Sequence, residues 1–446
     1  MSLTAWLACL ILAYLLYQVW KHWQQLTTSP LHTLTRLLHK LFLFKEQYLF
    51  SSKHLYGTHC SPQARALFSM VSPFAINDSD LSRLPERSDF IHMRKYLNFM
   101  MRSVLSQYDY ERSLTLCTIQ QQQQQQGKSV AVAPPKENAN LHSTPPLQIK
   151  TFSRRPNLKS LWIYHSDENE PSKPVSSTPR KTLLYFHGGG YYFGSPESYA
   201  GFFIPFARRY GINVYMADYV LAPDHSFREI FPDAMAELIF AFRELQLQPQ
   251  HVCLGGDSAG GNLILNLMKQ LSNHSNHSSS SNSSSSSSSN NNRIPYSQLD
   301  KFLILSPWCD LEMTHESVFE KLNRNEMMLS RNLLLSCREG KVPFESDPSE
   351  FSVLKFSKRE LKEMIRNKKI FLNYGDRERL REEIMKFSEM LKELKIEIEE
   401  QENSGSVQYI ELVGRDMCHD YPFLFNYDLP EAWEALDRFA EFVKSE

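Results

Sequence analysis

From residue 151 onward the sequence predicts an α/β architecture, a mostly parallel sheet flanked by helices. Short β-rich runs alternate there with segments of helical periodicity, and two of those runs end in clustered glycines. The predicted strands are Leu161–Tyr164, Thr182–Phe186, Asn213–Met216, Val252–Leu254, Phe302–Leu305, Ile370–Tyr374 and Val407–Leu412. A long charged helix over Glu378–Glu399 and a final one over Pro430–Val443 complete the layers. Their Lys/Glu runs read as solvated faces, not sites.

Ahead of this domain the chain divides into a candidate membrane anchor, residues 1–20, and a helical or cap region over residues 21–150. Leu3–Trp20 is an 18-residue run without a charge, just long enough to cross a hydrocarbon layer at ~1.5 Å per residue. It ends in Tyr17, Val19 and Trp20 with no small-residue cleavage site, so an anchor is expected in preference to a removed signal peptide. A buried soluble helix is the alternative. The basic residues Lys21, Arg36, Lys40 and Lys45 favour a cytosolic body. Glycosylation sequons at Asn77, Asn273, Asn276 and Asn282 favour the opposite side, and the orientation stays open.

Leu31, Leu34, Leu38 and Leu41 recur at helical spacing among basic residues, as on a helix that lies on lipid or packs against the catalytic body. Phe90–Leu105 carries a Met- and aromatic-rich helical pattern, read as core or as a cap over a pocket. Low-complexity tracts at Gln120–Gln126 and Ser278–Asn292 cannot bury enough apolar surface to offset their ordering entropy, so both are expected to be disordered. The second lies in an insertion over residues 272–292. Pro134–Pro146 and Asp167–Pro179 read as surface connections.

The charge balance of 49 Lys and Arg against 50 Asp and Glu leaves no global field to attract nucleic acid, which makes a small or neutral substrate the default. The seven cysteines are scattered and odd in number, unlike a disulfide framework or a zinc site, and read mainly as core residues. A length of 446 residues allows one large α/β domain with accessories or two average domains.

The sharpest chemical signal is Gly256-Asp257-Ser258-Ala259-Gly260, between the strand Val252–Leu254 and the helical pattern Asn262–Leu271. A nucleophilic serine on a strained strand-to-helix turn needs small residues two before and two after it. Alone, this five-residue pattern also fits a packing turn or a phosphate loop. A second signal is His187-Gly188-Gly189-Gly190, directly after the strand Leu183–Phe186. Consecutive glycines let backbone N–H groups face a cavity, as an oxyanion hole requires. Gly189 and Gly190, with the N–H of Ala259, are assigned to it, and His187, Gly188 and Asp257 support the motif. The third signal is chain order. Asp376 and Glu378 follow Ile370–Tyr374, and His419 follows Val407–Leu412 and is the only one of the 15 histidines downstream of those acids. Serine, acid, histidine is the order of a triad in which the imidazole acts as general base.

These residues resemble the hormone-sensitive-lipase-like branch of the α/β-hydrolases, also called the GDxG lipolytic family. The resemblance runs from about Leu161 to the C-terminus. It includes Asp218-Tyr219-Val220-Leu221-Ala222-Pro223-Asp224-His225 and Leu305-Ser306-Pro307-Trp308-Cys309-Asp310 besides the two glycine motifs. It implies an α/β-hydrolase fold with a helical cap, carboxylesterase or deacetylase activity, and no metal or organic cofactor. With the candidate anchor in front, the layout is similar to the arylacetamide deacetylases and, more closely, to fungal steryl acetyl hydrolases of the endoplasmic reticulum. That likeness implies a single-pass membrane protein with a luminal catalytic domain, acting on lipophilic acetate esters such as acetylated sterols. The family acid is normally Asp followed by Pro-Leu. The matching triplet here is Glu378-Arg379-Leu380, which favours Glu378 as the acid over the alternative Asp376. The rival readings are a carboxylesterase or lipase of other lipophilic esters, and a ligand receptor on the same fold.

Overall fold

The structure, a computed structural model, describes residues 147–165, 180–278, 294–320, 348–400 and 405–446, together with 38, 61–65, 325, 326, 328, 329 and 334. The candidate anchor, the Phe90–Leu105 segment, the glutamine tract and, apart from Leu38, the Leu31–Leu41 segment lie outside the described residues. Among the described residues, no helix is long and apolar enough to cross a membrane.

Eight strands form one sheet: β1 (Leu147–Phe152), β2 (Ser160–His165), β3 (Thr182–Phe186), β4 (Asn213–Ala217), β5 (Val252–Asp257), β6 (Lys301–Leu305), β7 (Lys368–Gly375) and β8 (Val407–Gly414). Their spatial order is β1-β2-β4-β3-β5-β6-β7-β8. β1 and β2 pair antiparallel, as do β2 and β4, and every other pairing is parallel. Seven of the strands match the predicted ones. The eighth, β1, begins four residues ahead of the expected domain start at residue 151.

Parallel strands need crossover helices, and these cover both faces, so β3, β4, β5 and β6 are buried along their whole length. One core holds Leu184, Phe186, Leu254, Phe302 and Ile304 against α2 (Phe227–Glu244), α3 (Ser258–Ser278) and α5 (Arg381–Glu400). The alternate residues Leu183, Tyr185, Cys253, Leu303 and Leu305 face the opposite core, built on α1 (Pro196–Tyr210) and α6 (Pro430–Lys444). A short helix, α4 (Lys358–Ile365), leads into β7.

Two helix boundaries differ from the sequence reading. α3 runs to Ser278, past Leu271 and into the expected insertion. α5 begins at Arg381, so Glu378 lies in the turn between β7 and the helix and not in the helix itself. Cys253, Cys309 and Cys418 are buried and unpaired.

Register decides what meets at the sheet's edge. Phe186 lies opposite Gly256, Leu305 opposite Asn373, and Gly375 opposite Gly414. The C-terminal ends of β3, β5, β7 and β8 therefore share one rim, where open α/β sheets bind ligands. The loops leaving those four ends carry His187 to Gly190, Ser258, Glu378 and His419.

Candidate active site

β5 ends at Asp257 and α3 begins at Ser258, so the serine is the hinge of the strand-to-helix turn. Its φ of 53° lies in the left-handed region, which a non-glycine residue occupies at a cost of about 1–3 kcal/mol. Packing enforces this pose. A Cβ at Gly256 would stand 2.6 Å from the Gly260 carbonyl oxygen, and one at Gly260 would stand 2.2 Å from that of Phe186. The two glycines let strand, helix and the end of β3 close on one another, and the Trp308 N–H donates to the Ser258 carbonyl at 3.0 Å.

The glycine loop after β3 is fastened to this turn by Asp257. Its Oδ1 accepts from the Gly188 N–H (3.0 Å) and the Tyr185 hydroxyl (2.9 Å), and its Oδ2 from the Tyr199 hydroxyl (2.7 Å). Gly189 and Gly190 have φ of 104° and 61°, and the loop closes where Tyr192 and Phe193 donate to the Gly189 carbonyl. Among the described residues the Gly189 and Gly190 N–H groups have no acceptor. Ala259 is in the first turn of α3, where N–H groups lack intrahelical partners.

His187 stacks on Tyr219 (ring centroids 4.5 Å apart) and turns Nδ1 to the Gly188 carbonyl at 2.8 Å. Burial lowers its pKa to about 4, so the ring is neutral at physiological pH. It is a packing element beneath the loop.

Past the ends of β7 and β8, His419 Nδ1 lies 3.1 Å from Glu378 Oε1. The other carboxylate oxygen, Oε2, accepts from the Ser306 hydroxyl (2.7 Å) and the Gly375 N–H (2.9 Å), which fixes the carboxylate plane. Both side chains are buried. Burial acts to lower the His419 pKa, but the charges of Asp420 and Glu378 outweigh it and hold the imidazole well above its ordinary value. Asp376 lies elsewhere. Its Oδ1 accepts from the Asp416 N–H at 2.6 Å, tying the β7 loop to the β8 loop, and burial raises its pKa. Among the described residues no hydrogen bond joins the Ser258 hydroxyl to His419.

Glu326 reaches the site without a sequence signal. Glu326 Oε2 accepts from the backbone N–H of Arg379 (3.2 Å) and of His419 (3.3 Å), clamping the loop after the acid to the loop that carries the histidine. Its Oε1 accepts from Met328 and Leu329, and burial raises its pKa. Arg379 explains itself in the same place: its guanidinium donates to the carbonyls of Val318, Glu320 and Leu329, fastening the Glu326 segment to the site.

A family model described as the alpha/beta hydrolase fold matches residues 183–409. The chain belongs to this α/β-hydrolase family. Over 111 residues it is 38% identical to human arylacetamide deacetylase-like 2, a match that covers 23% of this chain and 27% of that protein. It is 33% identical over 103 residues to hormone-sensitive lipase of Ictidomys tridecemlineatus, covering 22% of this chain and 13% of the lipase. The chain thus spans well under two thirds of the length of these curated relatives. Among solved structures, the hyperthermophilic esterase from the archaeon Pyrobaculum calidifontis shares the fold with a TM-score of 0.53 and 16% identity, covering 85% of this chain and 96% of that one.

Proposed function

We propose that this α/β-hydrolase is a serine carboxylic-ester hydrolase with Ser258 as nucleophile, His419 as general base and Glu378 as the orienting acid. The observation that carries the reading is a serine strained to φ 53° at the tip of β5, with a buried imidazole–carboxylate pair at 3.1 Å after the ends of β7 and β8 on the same rim of the sheet. Glu378 holds Nδ1–H, which leaves Nε2 as the ring's base. Ser258 Oγ attacks the ester carbonyl carbon while Nε2 takes its proton, and that proton then passes to the departing alcohol. The negative charge on the former carbonyl oxygen is met by the N–H groups of Gly189, Gly190 and Ala259. Each such donor is worth about 2.7–4 kcal/mol in comparable enzymes. Water, deprotonated by the same imidazole, releases the acyl group. The chemistry is complete without a cofactor.

The finer reading is a membrane-tethered deacetylase of lipophilic acetate esters, acetylated sterols among them, at the endoplasmic reticulum. The uncharged run Leu3–Trp20 supports the tether, and the partial match to arylacetamide deacetylase-like 2 supports the acyl preference. The test is an acyl-chain-length profile of the full chain on p-nitrophenyl esters, with a steryl acetate beside them. Highest kcat/KM on acetate, with measurable release of the free sterol, is the expected result. A maximum on long acyl chains makes it a lipase. Saturable binding of esters without turnover makes it a receptor.

A further inference from the structure

The imidazole of His419 has a second carboxylate at its other edge. Asp420 Oδ2 lies 3.1 Å from His419 Nε2, and both side chains are buried. Asp420 reaches this place at a backbone cost: its φ of 51° is left-handed, a conformation that favours glycine. The pose is anchored by the Asp420 N–H, which donates to the Ser306 hydroxyl at 3.2 Å, the same hydroxyl that donates to Glu378. A strained backbone and a buried carboxylate in direct approach to the ring are together poor packing. They make sense as an arrangement directed at the imidazole.

Other titratable groups surround this pair. Asp257 faces it from the end of β5, where burial, then the charge of Asp420, pushes its carboxyl well above the usual range; burial raises the Asp420 carboxyl as well, while the charge of His419 and hydrogen bonds to His419 and Asp257 act to lower it. Tyr185 on β3 and Tyr199 on α1, both bound to Asp257, are held neutral by burial, as is the Cys418 thiol beside the histidine. Glu326, at the His419 backbone N–H, is raised by burial. The two carboxylates set against the ring itself are Glu378 at Nδ1 and Asp420 at Nε2.

We propose that Asp420 is a positioning residue, a second carboxylate held against the Nε2 edge of His419 to stabilise the imidazolium that forms when the ring takes the Ser258 proton. The inference rests on the Ser258–His419 reading given above. It has two opposed consequences. In the transition state the nearby charge favours proton transfer from Ser258 Oγ to Nε2, which raises the maximal rate. At rest the same charge keeps a proton on Nε2, and this proton must leave to water before the lone pair is available to the serine. The enzyme therefore turns on at a pH above that of an ordinary imidazole, whose pKa is about 6.5.

The test is the second-order rate of labelling by a fluorophosphonate across pH, for wild type, Asp420→Asn and Asp420→Gly, with Ser258→Ala as blank. Asparagine keeps the shape and tolerates a left-handed backbone, and glycine adopts it without strain, so the pair guards against a variant that fails to fold. In both, the acidic limb moves down by about one pH unit or more, the size expected for removing an opposite charge within ~4–6 Å. The profiles cross: because the proton is only partly transferred in the transition state, the plateau falls by less than the limb moves, so the variants label faster than wild type at acidic pH and only about a few-fold slower on the alkaline plateau. A merely structural role moves the plateau and not the limb. Limbs that coincide with that of wild type, or that move up, overturn the role of Asp420. A wild type that does not label at any pH overturns the Ser258 reading instead.

Discussion

Exchanging Glu378 for glutamine separates the two acids that the sequence offers. The amide has one oxygen and one NH2 where the carboxylate has two acceptors. Oε2 of Glu378 receives the Gly375 N–H at 2.9 Å and the Ser306 hydroxyl at 2.7 Å, so the amide oxygen is drawn to that side. The NH2 then faces His419 Nδ1, where a carboxylate oxygen stood 3.1 Å away. To avoid opposing two donors, the ring must accept at Nδ1 and carry its hydrogen on Nε2, the tautomer that cannot take the serine proton. In a comparable serine triad that change lowers kcat by about 10⁴, roughly 5.5 kcal/mol. Asp376→Asn loses only part of one hydrogen bond, from the Asp416 N–H, at about 1 kcal/mol of stability and less than about tenfold in rate. The assay is kcat on a soluble acetate ester, after thermal melts show that each variant is folded. Full activity in Glu378→Gln beside a dead Asp376→Asn refutes the assignment and the tautomer argument together.

Gly260→Ala should destabilise the protein by about 3 kcal/mol and remove activity, since its Cβ meets the Phe186 carbonyl oxygen at 2.2 Å and both partners are backbone; a wild-type melting curve contradicts this. Glu326→Ala leaves the N–H groups of Arg379 and His419 without their acceptor, at about 1–3 kcal/mol for each buried donor. The loss should be seen in the melting temperature and in kcat, and unchanged kinetics would mean that the two loops hold their register unaided. Deleting Gln120–Gln126, or residues 279–292, should leave kcat/KM on an acetate ester within a small factor, because low-complexity tracts do not build a packed site. A large loss in either deletion assigns that tract an ordered role.

What could be read from the sequence is what backbone geometry dictates locally. Gly256 and Gly260 stand where a side chain would strike main-chain atoms, and such positions announce themselves as glycine. The central strands are short apolar runs because both sheet faces are covered. β1 has no clear sequence pattern because it is an edge strand, Leu-Gln-Ile-Lys-Thr-Phe, with one buried residue in six and a Pro-rich segment before it. The start of α5 lies later than composition suggests, since Glu378, Arg379 and Leu380 have the composition of a helix, yet Glu378 is held in the turn by the Gly375 N–H and Ser306. Glu326 and Asp420 could not be found from sequence at all. Glu326 acts through two backbone N–H groups, which leave no trace in residue type. Asp420 matters by an approach to its neighbour's ring that depends on a left-handed turn, and an Asp after a His is otherwise unremarked.

Covalent trapping tests directly whether Ser258 is the nucleophile. The full chain is treated with a fluorophosphonate at alkaline pH, digested, and the adduct located by peptide mass spectrometry. One adduct per chain is expected, on Ser258, with ester hydrolysis lost in proportion and no adduct in a folded Ser258→Ala variant. An adduct on another residue, or hydrolysis that persists in Ser258→Ala, would contradict that role.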